Sequence, residues 1–305
     1  MESINYPAKS GFVAAMGRPN VGKSTLINAL IGEKIAAVTP WPQTTRKRQL
    51  GILTTDLGQI IFVDTPGIHK PIHKLGKHMN EEAHSVLVDS DVILLVVDVS
   101  QPPNEEDQLL ANTILRLPRS IPVLMALNKS DLVNSETLEE NKAAFDVLFP
   151  NTNAHIQTSA VLGENLDLLV SLLFEHLPEG PPFFPEDQIT DLYEREIASD
   201  LIREAALFNL RDEVPHCIAV RIDEFTERGD RGAFIAATLF VERDSQKGIV
   251  IGKNGKMLKQ IGTLARTEVE NMSGRKVYLK LRVKVRKNWR NDEASLNLFG
   301  FHKSH

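Results

Sequence analysis

The stretch Gly17 to Ser24 reads GRPNVGKS and fits the pattern G-x-x-x-x-G-K-[ST] without a gap. The apolar run Phe12, Val13, Ala14, Ala15, Met16 precedes it, and Thr25, Leu26, Ile27, Asn28, Ala29, Leu30 follow it. Strand, loop and helix thus arrive in the order a phosphate-binding loop requires. Gly17 and Gly22 let the backbone wrap close to a polyphosphate, so that main-chain N–H groups and the start of the helix face its oxygens. Lys23 can reach the β and γ phosphates, and the Ser24 hydroxyl can ligate Mg²⁺. The loop alone does not choose between ATP and GTP.

Working outward, residues 32–47 form an irregular segment in which Pro40 and Pro42 deny regular structure, as suits a mobile loop; it holds Thr44, Thr45 and Arg46. Residues 48–54 and 59–63 read as strands about a turn, and the second runs into DTPG, Asp64 to Gly67. There Asp64 is placed to hold Mg²⁺ through water, and Gly67 to offer its N–H to a γ-phosphate. Residues 74–90 read as a helix, 92–97 as a buried parallel strand and 104–117 as an amphipathic segment. The apolar strand 121–127 closes on NKSD, Asn128 to Asp131. A carboxylate such as Asp131 can accept from both the ring N–H and the exocyclic amine of guanine, an edge that adenine lacks. A last strand over 156–160 ends in TSA, Thr158 to Ala160, and a helix over 162–177 follows.

Strands alternating with helices predict a doubly wound sheet with its ligand at the carboxyl ends of the strands. The five elements GRPNVGKS, TTR, DTPG, NKSD and TSA occur in the order and approximate spacing of the translation-factor-like GTPases, which this half resembles. The resemblance implies that Thr45 is the switch I threonine, that Asp64 and Gly67 belong to switch II, and that Ser159 and Ala160 cover the base. Asn128, Lys129 and Asp131 then read guanine, and Gly17, Asn20, Gly22, Lys23, Ser24 and Thr25 hold the phosphates. Lys23, Thr45, Asp64 and Gly67 are the expected catalytic set. Where the Ras-like pattern has a water-orienting glutamine this chain has Ile68, so a slow basal rate is expected. The pattern G-x-P-N-x-G-K-S resembles that of GTPases that bind K⁺, so Asn20 has two readings, a K⁺ ligand or a residue that only shapes the loop. His69, His73, His78 and His84 share no coherent helix face, and no metal site is expected of them.

Composition bounds the setting. The chain has 305 residues, 42% hydrophobic and 25% charged, which suits a globular protein of two domains. Cys217 is the single cysteine, so no disulfide can form within the chain and a reducing, cytosolic home is expected. Neither a secretory leader nor an apolar run long enough to cross a bilayer is read. The net charge of −5 is uneven. From Lys247 to Arg290 there are thirteen lysines and arginines against only Glu268 and Glu270, the asymmetry expected when one end meets polyanions.

Pro178, Gly180, Pro181, Pro182 and Pro185 mark a semi-rigid linker. The expected division is a GTPase domain over 1–178, a linker over 179–190 and a second domain over 191–305. In the second domain residues 191–209 read as a helix, 217–225, 233–241 and 277–285 as strands, and 256–272 as a helix. Val277, Leu279, Leu281, Val283 and Val285 alternate with Tyr278, Lys280, Arg282 and Lys284, giving one core face and one basic face. Between helical segments stands GKNG, Gly252 to Gly255, preceded by Val250 and Ile251. With Lys253 and Lys256 around it, this half resembles a type II KH domain, in which paired glycines let a sugar-phosphate chain lie on backbone N–H groups. Ile251, Gly252, Lys253, Asn254, Gly255, Lys256 and Lys284 are the candidate RNA contacts.

Taken together, a P-loop GTPase with a doubly wound, mostly parallel α/β sheet followed by a smaller α+β KH domain resembles the Era family of bacterial GTPases, over residues 11–289. The resemblance implies a GTP-hydrolysing ribosome-assembly factor, with GTP, GDP and the 3′ end of small-subunit 16S rRNA as partners. It implies Mg²⁺ held by Ser24, Thr45 and, through water, Asp64; a cytoplasmic setting is expected, and nothing in the sequence requires more than a monomer. Two rival readings are a non-guanine P-loop enzyme and a regulatory GTPase whose basic half meets anionic lipid. Peripheral membrane contact stays open as a secondary property.

Overall fold

The computed structural model describes residues 8–39, 44–67, 71–117, 120–227 and 232–301. Ile68 and His69, on which part of the sequence reading turns, lie outside the described residues, as do Pro40 and Pro42. The described residues fall into two units, the first within Met1–Ala36, Thr45–Pro71 and Met79–Asp191 and the second within Ala37–Thr44, Ile72–His78 and Leu192–His305.

The elements wholly or mainly in the first unit run β1 (Lys9–Met16), α1 (Lys23–Ile31), β2 (Gln49–Thr55), β3 (Gly58–Asp64), α2 (Lys74–Asp89), β4 (Val92–Asp98), α3 (Glu105–Leu115), β5 (Val123–Asn128), α4 (Ser135–Leu148), β6 (Ala154–Thr158) and α5 (Leu166–His176). The sheet order is β2-β3-β1-β4-β5-β6, parallel throughout except for β2, which is antiparallel to β3 at the edge. This is the expected α/β architecture. Side-chain alternation divides its core into two layers. Val13, Ala15 and Leu94 pack with Leu26, Ile27 and Leu173 of α1 and α5. Ala14, Met16, Ile93 and Leu95 pack with Leu87, Leu110 and Phe145 of α2, α3 and α4. With both faces of the sheet covered, each buried Val, Leu, Ile, Met or Phe side chain contributes about 1.5–3 kcal/mol of transfer free energy.

Helix α4 is absent from the sequence reading. Its buried stripe is narrow, limited to Leu138, Asn141 and Phe145, and the signal that marks it is the cap: Asn134 accepts the Thr137 N–H at 2.9 Å. The last strand is β6, two residues earlier than expected, because Ser159 and Ala160 already belong to the loop beyond it.

The Pro-rich stretch after α5 differs from a free tether. Gln59, fully buried in β3, accepts the N–H groups of Phe183 and Phe184 at 2.9 Å each and donates to the Phe184 carbonyl at 3.0 Å. Ile52 N–H donates to Ile189 carbonyl at 2.9 Å, and the Asp191 carboxylate accepts the Leu50 N–H at 3.1 Å. One internal glutamine satisfies backbone groups that prolines leave without a ladder. The next helix begins only at Glu194, three residues later than the sequence suggests.

The second unit holds α6 (Glu194–Asn209), β7 (Ala219–Glu227), β8 (Ala233–Val241), α7 (Asp244–Ile251), α8 (Lys256–Ser273), β9 (Val277–Val285) and α9 (Glu293–Leu298). Its sheet order is β7-β8-β9, with β7 antiparallel and β9 parallel to β8. Ile197, Leu201 and Ile202 of α6 and Ile261, Ala265 and Val269 of α8 pack on Ile235 and Leu239 of β8. Trp289, fully buried, donates its indole N–H to the Cys217 carbonyl at 2.7 Å and meets Phe299 edge to face. The sequence reading assigns no element beyond the strand 277–285, whereas Leu296 and Phe299 are buried.

Candidate functional site

At the carboxyl end of β1 the chain turns through Gly17, Arg18, Pro19 and Asn20 into α1. Gly22 is the pivot. It stands at φ 98°, and a Cβ there would lie 2.5 Å from the Asn128 amide nitrogen, so both backbone and space exclude a side chain. That amide donates to the Val21 carbonyl at 2.8 Å, while Asn128 Oδ1 accepts the Ala160 N–H at 3.1 Å. Asn128 thereby ties the phosphate loop to both base-side loops. Ser159 is fully buried and its Oγ accepts the Leu162 N–H at 3.2 Å, which folds the loop after β6 back on itself.

Lys23 heads α1 with 7% exposure. Its Nζ donates to the carbonyls of Gly17 and Arg18 at 3.0 and 3.1 Å. Burial pulls its pKa down to about 8, against the opposing pull of Asp64 and Glu106. The ammonium is therefore held inside the loop, where phosphate oxygens would meet it. Thr25 is half-buried on the next turn position, and Asn20 is exposed at φ 65°.

Ser24, Thr45 and Asp64 converge. Ser24 Oγ donates to Asp64 Oδ2 at 2.7 Å, Thr45 Oγ1 donates to the same atom at 3.0 Å, and the two hydroxyls are 3.0 Å apart. Burial raises the Asp64 carboxyl, and Lys23 together with the two hydroxyls and the Thr65 N–H draws it back. Its other oxygen, Oδ1, is buried without a hydrogen-bond partner of normal geometry. Three hard oxygens, one of them an underused buried carboxylate, fit the donor preference of Mg²⁺. Gly67 follows at the end of DTPG, where a Cβ would come 3.0 Å from Pro19 N, so the two phosphate-side loops approach closely.

Asp131 lies exposed in a 3₁₀ turn over Ser130–Leu132 that Lys129 opens at φ 65°. Ser130 Oγ donates to the Thr158 carbonyl at 3.0 Å, which anchors the turn to β6. Sequence reasoning missed the charges beneath this turn: Lys129 Nζ meets Asp98 at 2.6 Å, and Arg18 Nε meets Asp107 at 3.3 Å. It also missed Asn28, whose Oδ1 accepts the N–H groups of Ile35 and Ala36 and orders the chain after α1.

In the second unit GKNG forms a tight turn between α7 and α8, with Lys253 and Asn254 exposed and Ile251 half-buried at its entry. Lys256 opens α8 beside it. A groove of 460 Å³ runs from Gly255 between α8 and β9, walled by Leu258, Gly262, Thr263, Leu279 and Leu281, with Lys259 and Arg266 at its side. Gly262 keeps it open, since a Cβ there would already touch Leu281 at 3.4 Å. Lys284 is not part of this assembly. It alternates with Val283 and Val285 and shares the other face of β9 with Lys280 and Arg282, away from Leu279 and Leu281. Of the histidines, His73 and His78 sit 3.4 Å from Asn291 and Glu293, and His84 is exposed on α2.

The comparisons agree with this arrangement. The family model described as 50S ribosome-binding GTPase matches residues 12–129, and the KH domain model matches residues 213–290. GTPase Era of Geobacter metallireducens is 46% identical over 97% of this chain and 98% of its own length. GTPase Era of Halothermothrix orenii is 45% identical over 96% and 98%. A crystal structure of Era in complex with MgGDPNP and nucleotides 1506–1542 of 16S ribosomal RNA is 40% identical, covers 97% of this chain and 100% of its own, and has a TM-score of 0.91. A variant of Aquifex aeolicus Era bound to GDP and AlF4⁻ has the same identity, coverage and TM-score of 0.91. A guanine-nucleotide site of this kind followed by a KH fold over nearly full-length identity leaves one assignment: the chain belongs to the Era family of GTPases and is a GTP hydrolase with a C-terminal KH domain.

Proposed function

We propose that this GTPase binds the 3′ end of small-subunit rRNA through the groove between α8 and β9 and acts in assembly of the small ribosomal subunit, with GTP as its timer. The observation that carries the reading is the GKNG turn at the head of an apolar groove in a basic unit, joined in one chain to a GTP site. The groove accepts unstacked bases, and the glycine turn with Lys253 and Lys256 takes the sugar-phosphate chain. The Era relative bound to MgGDPNP and nucleotides 1506–1542 supports the choice of RNA. On this reading the protein works in the cytoplasm, as a monomer.

On this reading Mg²⁺ is held by Ser24 and Thr45 and, through water, by Asp64, and supplies charge to the β and γ phosphate oxygens. Lys23 exchanges the Gly17 and Arg18 carbonyls for those oxygens. Gly67 offers its N–H to the γ-phosphate, and Asn20, exposed in the phosphate loop, is the residue we assign to K⁺. Asn128, Asp131, Ser159 and Ala160 hold the base. The chain passes from the second unit to the first between Thr44 and Thr45. On this reading a γ-phosphate orders Thr45, and that ordering is how GTP biases RNA capture.

The test is the affinity of the purified chain for a single-stranded oligonucleotide of the 16S 3′ end with GDPNP and with GDP. Tighter binding in the GDPNP state is expected. Equal affinity in the two states removes the timer, and absence of binding in both removes the RNA assignment.

A further inference from the structure

Asp98 ends β4 beside Asn128, its register neighbour on β5, and is 4% exposed. Its Oδ1 accepts the Ser100 hydroxyl at 2.5 Å and the Ser100 N–H at 3.0 Å. Its Oδ2 meets Lys129 Nζ at 2.6 Å and lies 4.0 Å from Arg18 Nη2. Arg18 reaches Asp107 in the first turn of α3, and that carboxylate also accepts the Asn104 N–H at 3.0 Å. Two cations and two carboxylates from four segments thus make one neutral cluster under the nucleotide site. Burial alone would raise the Asp98 carboxyl, but the bonds from Lys129 and Ser100 outweigh it and hold the group below the usual carboxylate range.

Lys129 stands at φ 65°, ψ 32°, a left-handed conformation that L residues take at a cost. Its carbonyl accepts the Leu132 N–H at 3.1 Å and closes the turn that carries Asp131. A residue in that conformation persists when its surroundings over-determine it, and here the side chain is held by a buried carboxylate. We propose that Asp98 is a positioning residue for base recognition: by holding Lys129 Nζ it fixes the start of the turn and hence the direction in which Asp131 presents its carboxylate to guanine. The role rests on guanine reading by Asp131 and is independent of the RNA assignment.

Hypoxanthine keeps the ring N–H of guanine and lacks the 2-amine, so the ratio of GDP to IDP affinity reports how well Asp131 is aimed. Calorimetric titration of the full chain with GDP and with IDP tests the proposal in wild type, Asp98→Asn, Lys129→Gln and the double variant. Each single variant is expected to lower the GDP-to-IDP ratio by about tenfold, and the double to lower it no further. A ratio unchanged in both single variants, whatever happens to GDP affinity itself, overturns the proposal, because a merely structural role weakens both ligands alike. Additive loss in the double variant also overturns it. If Asp98→Asn does not fold, Lys129→Gln, whose side chain is partly exposed, decides alone by the same ratio. A wild type that binds GDP and IDP equally overturns guanine reading by Asp131 and the proposal with it.

Discussion

Ser24 Oγ donates to Asp64 Oδ2 at 2.7 Å, joining the first turn of α1 to the end of β3, with Thr45 Oγ1 on the same oxygen at 3.0 Å. The three side chains come from three segments far apart in sequence. Their convergence offers oxygens of the kind a divalent cation prefers. Replacing Ser24 by Ala removes one oxygen and is expected to weaken GDPNP binding about 10- to 100-fold in Mg²⁺. The difference between Mg²⁺ and EDTA should shrink in parallel. Unchanged Mg²⁺ dependence in the variant takes Ser24 out of the metal site.

Lys23 sets a pH signature. Its pKa in the folded, nucleotide-free protein is about 8 against an ordinary 10.5, so between those values the unfolded chain binds more protons than the native one. Stability therefore rises with pH across that window, by up to about 3 kcal/mol from this group. The Asp64 carboxyl, raised by burial, acts oppositely: from the ordinary carboxylate range up to its raised value the native state binds more protons, and stability falls as pH rises. Denaturant unfolding at pH 7.5 and pH 10 should show the Lys23 contribution as the difference between wild type and Lys23→Met. Triphosphate binding pairs the ammonium, raises its pKa and takes up a proton near pH 9. Calorimetry in buffers of different ionisation enthalpy should register that uptake in wild type and not in Lys23→Met.

On the proposed reading Asp131 accepts two donors from guanine with one carboxylate. Asp131→Asn leaves one donor facing another and is expected to cost about two orders of magnitude in GDP affinity. The same variant should gain affinity for XDP, whose C2 carbonyl can accept from the new amide. Competition of GDP and XDP against a fluorescent guanine nucleotide measures both. Retained preference for GDP would place base reading on other groups.

The two glycines of GKNG are not equivalent. Gly252 stands at φ 70°, ψ 173°, and a Cβ there would lie 2.6 Å from Met257 Cβ. Gly255 stands at φ 75°, ψ 9°, with nothing within 4 Å of an added Cβ. Gly252→Ala should destabilise the second unit by about 2–3 kcal/mol, and Gly255→Ala by only about 1 kcal/mol. Gly255→Asp is therefore the cleaner probe of RNA binding, since it adds charge in open space. Equilibrium unfolding of both alanine variants tests the order, and equal losses would contradict this geometry.

The nucleotide site was legible because each of its parts is a short contiguous string whose spacing is dictated by the ligand. GRPNVGKS, DTPG and NKSD needed only the strands before them to be placed, and those strands are long apolar runs. The parts that escaped are long-range or sparse. No local pattern pairs Asp98 with Lys129 or Arg18 with Asp107, because strand register and helix packing bring them together. Gln59 reads as an ordinary strand residue, yet it is what seats the Pro-rich stretch against β3. Helix α4 presents too few apolar positions for periodicity to show, and Trp289 declares its role only through the Cys217 carbonyl it reaches. Lys284 belongs to the basic stripe by sequence, while the alternation of β9 puts it on the side away from the groove.

The most direct test of a GTPase that couples its nucleotide to RNA is reciprocal. GDPNP and GDP affinities are measured with and without a saturating 16S 3′-end oligonucleotide, in wild type and in Gly255→Asp. The account predicts that the oligonucleotide raises the GDPNP-to-GDP affinity ratio of wild type by the factor with which GDPNP favours RNA, about 5- to 150-fold for a typical coupling, and leaves Gly255→Asp unmoved. A wild-type ratio that the oligonucleotide does not change would contradict it.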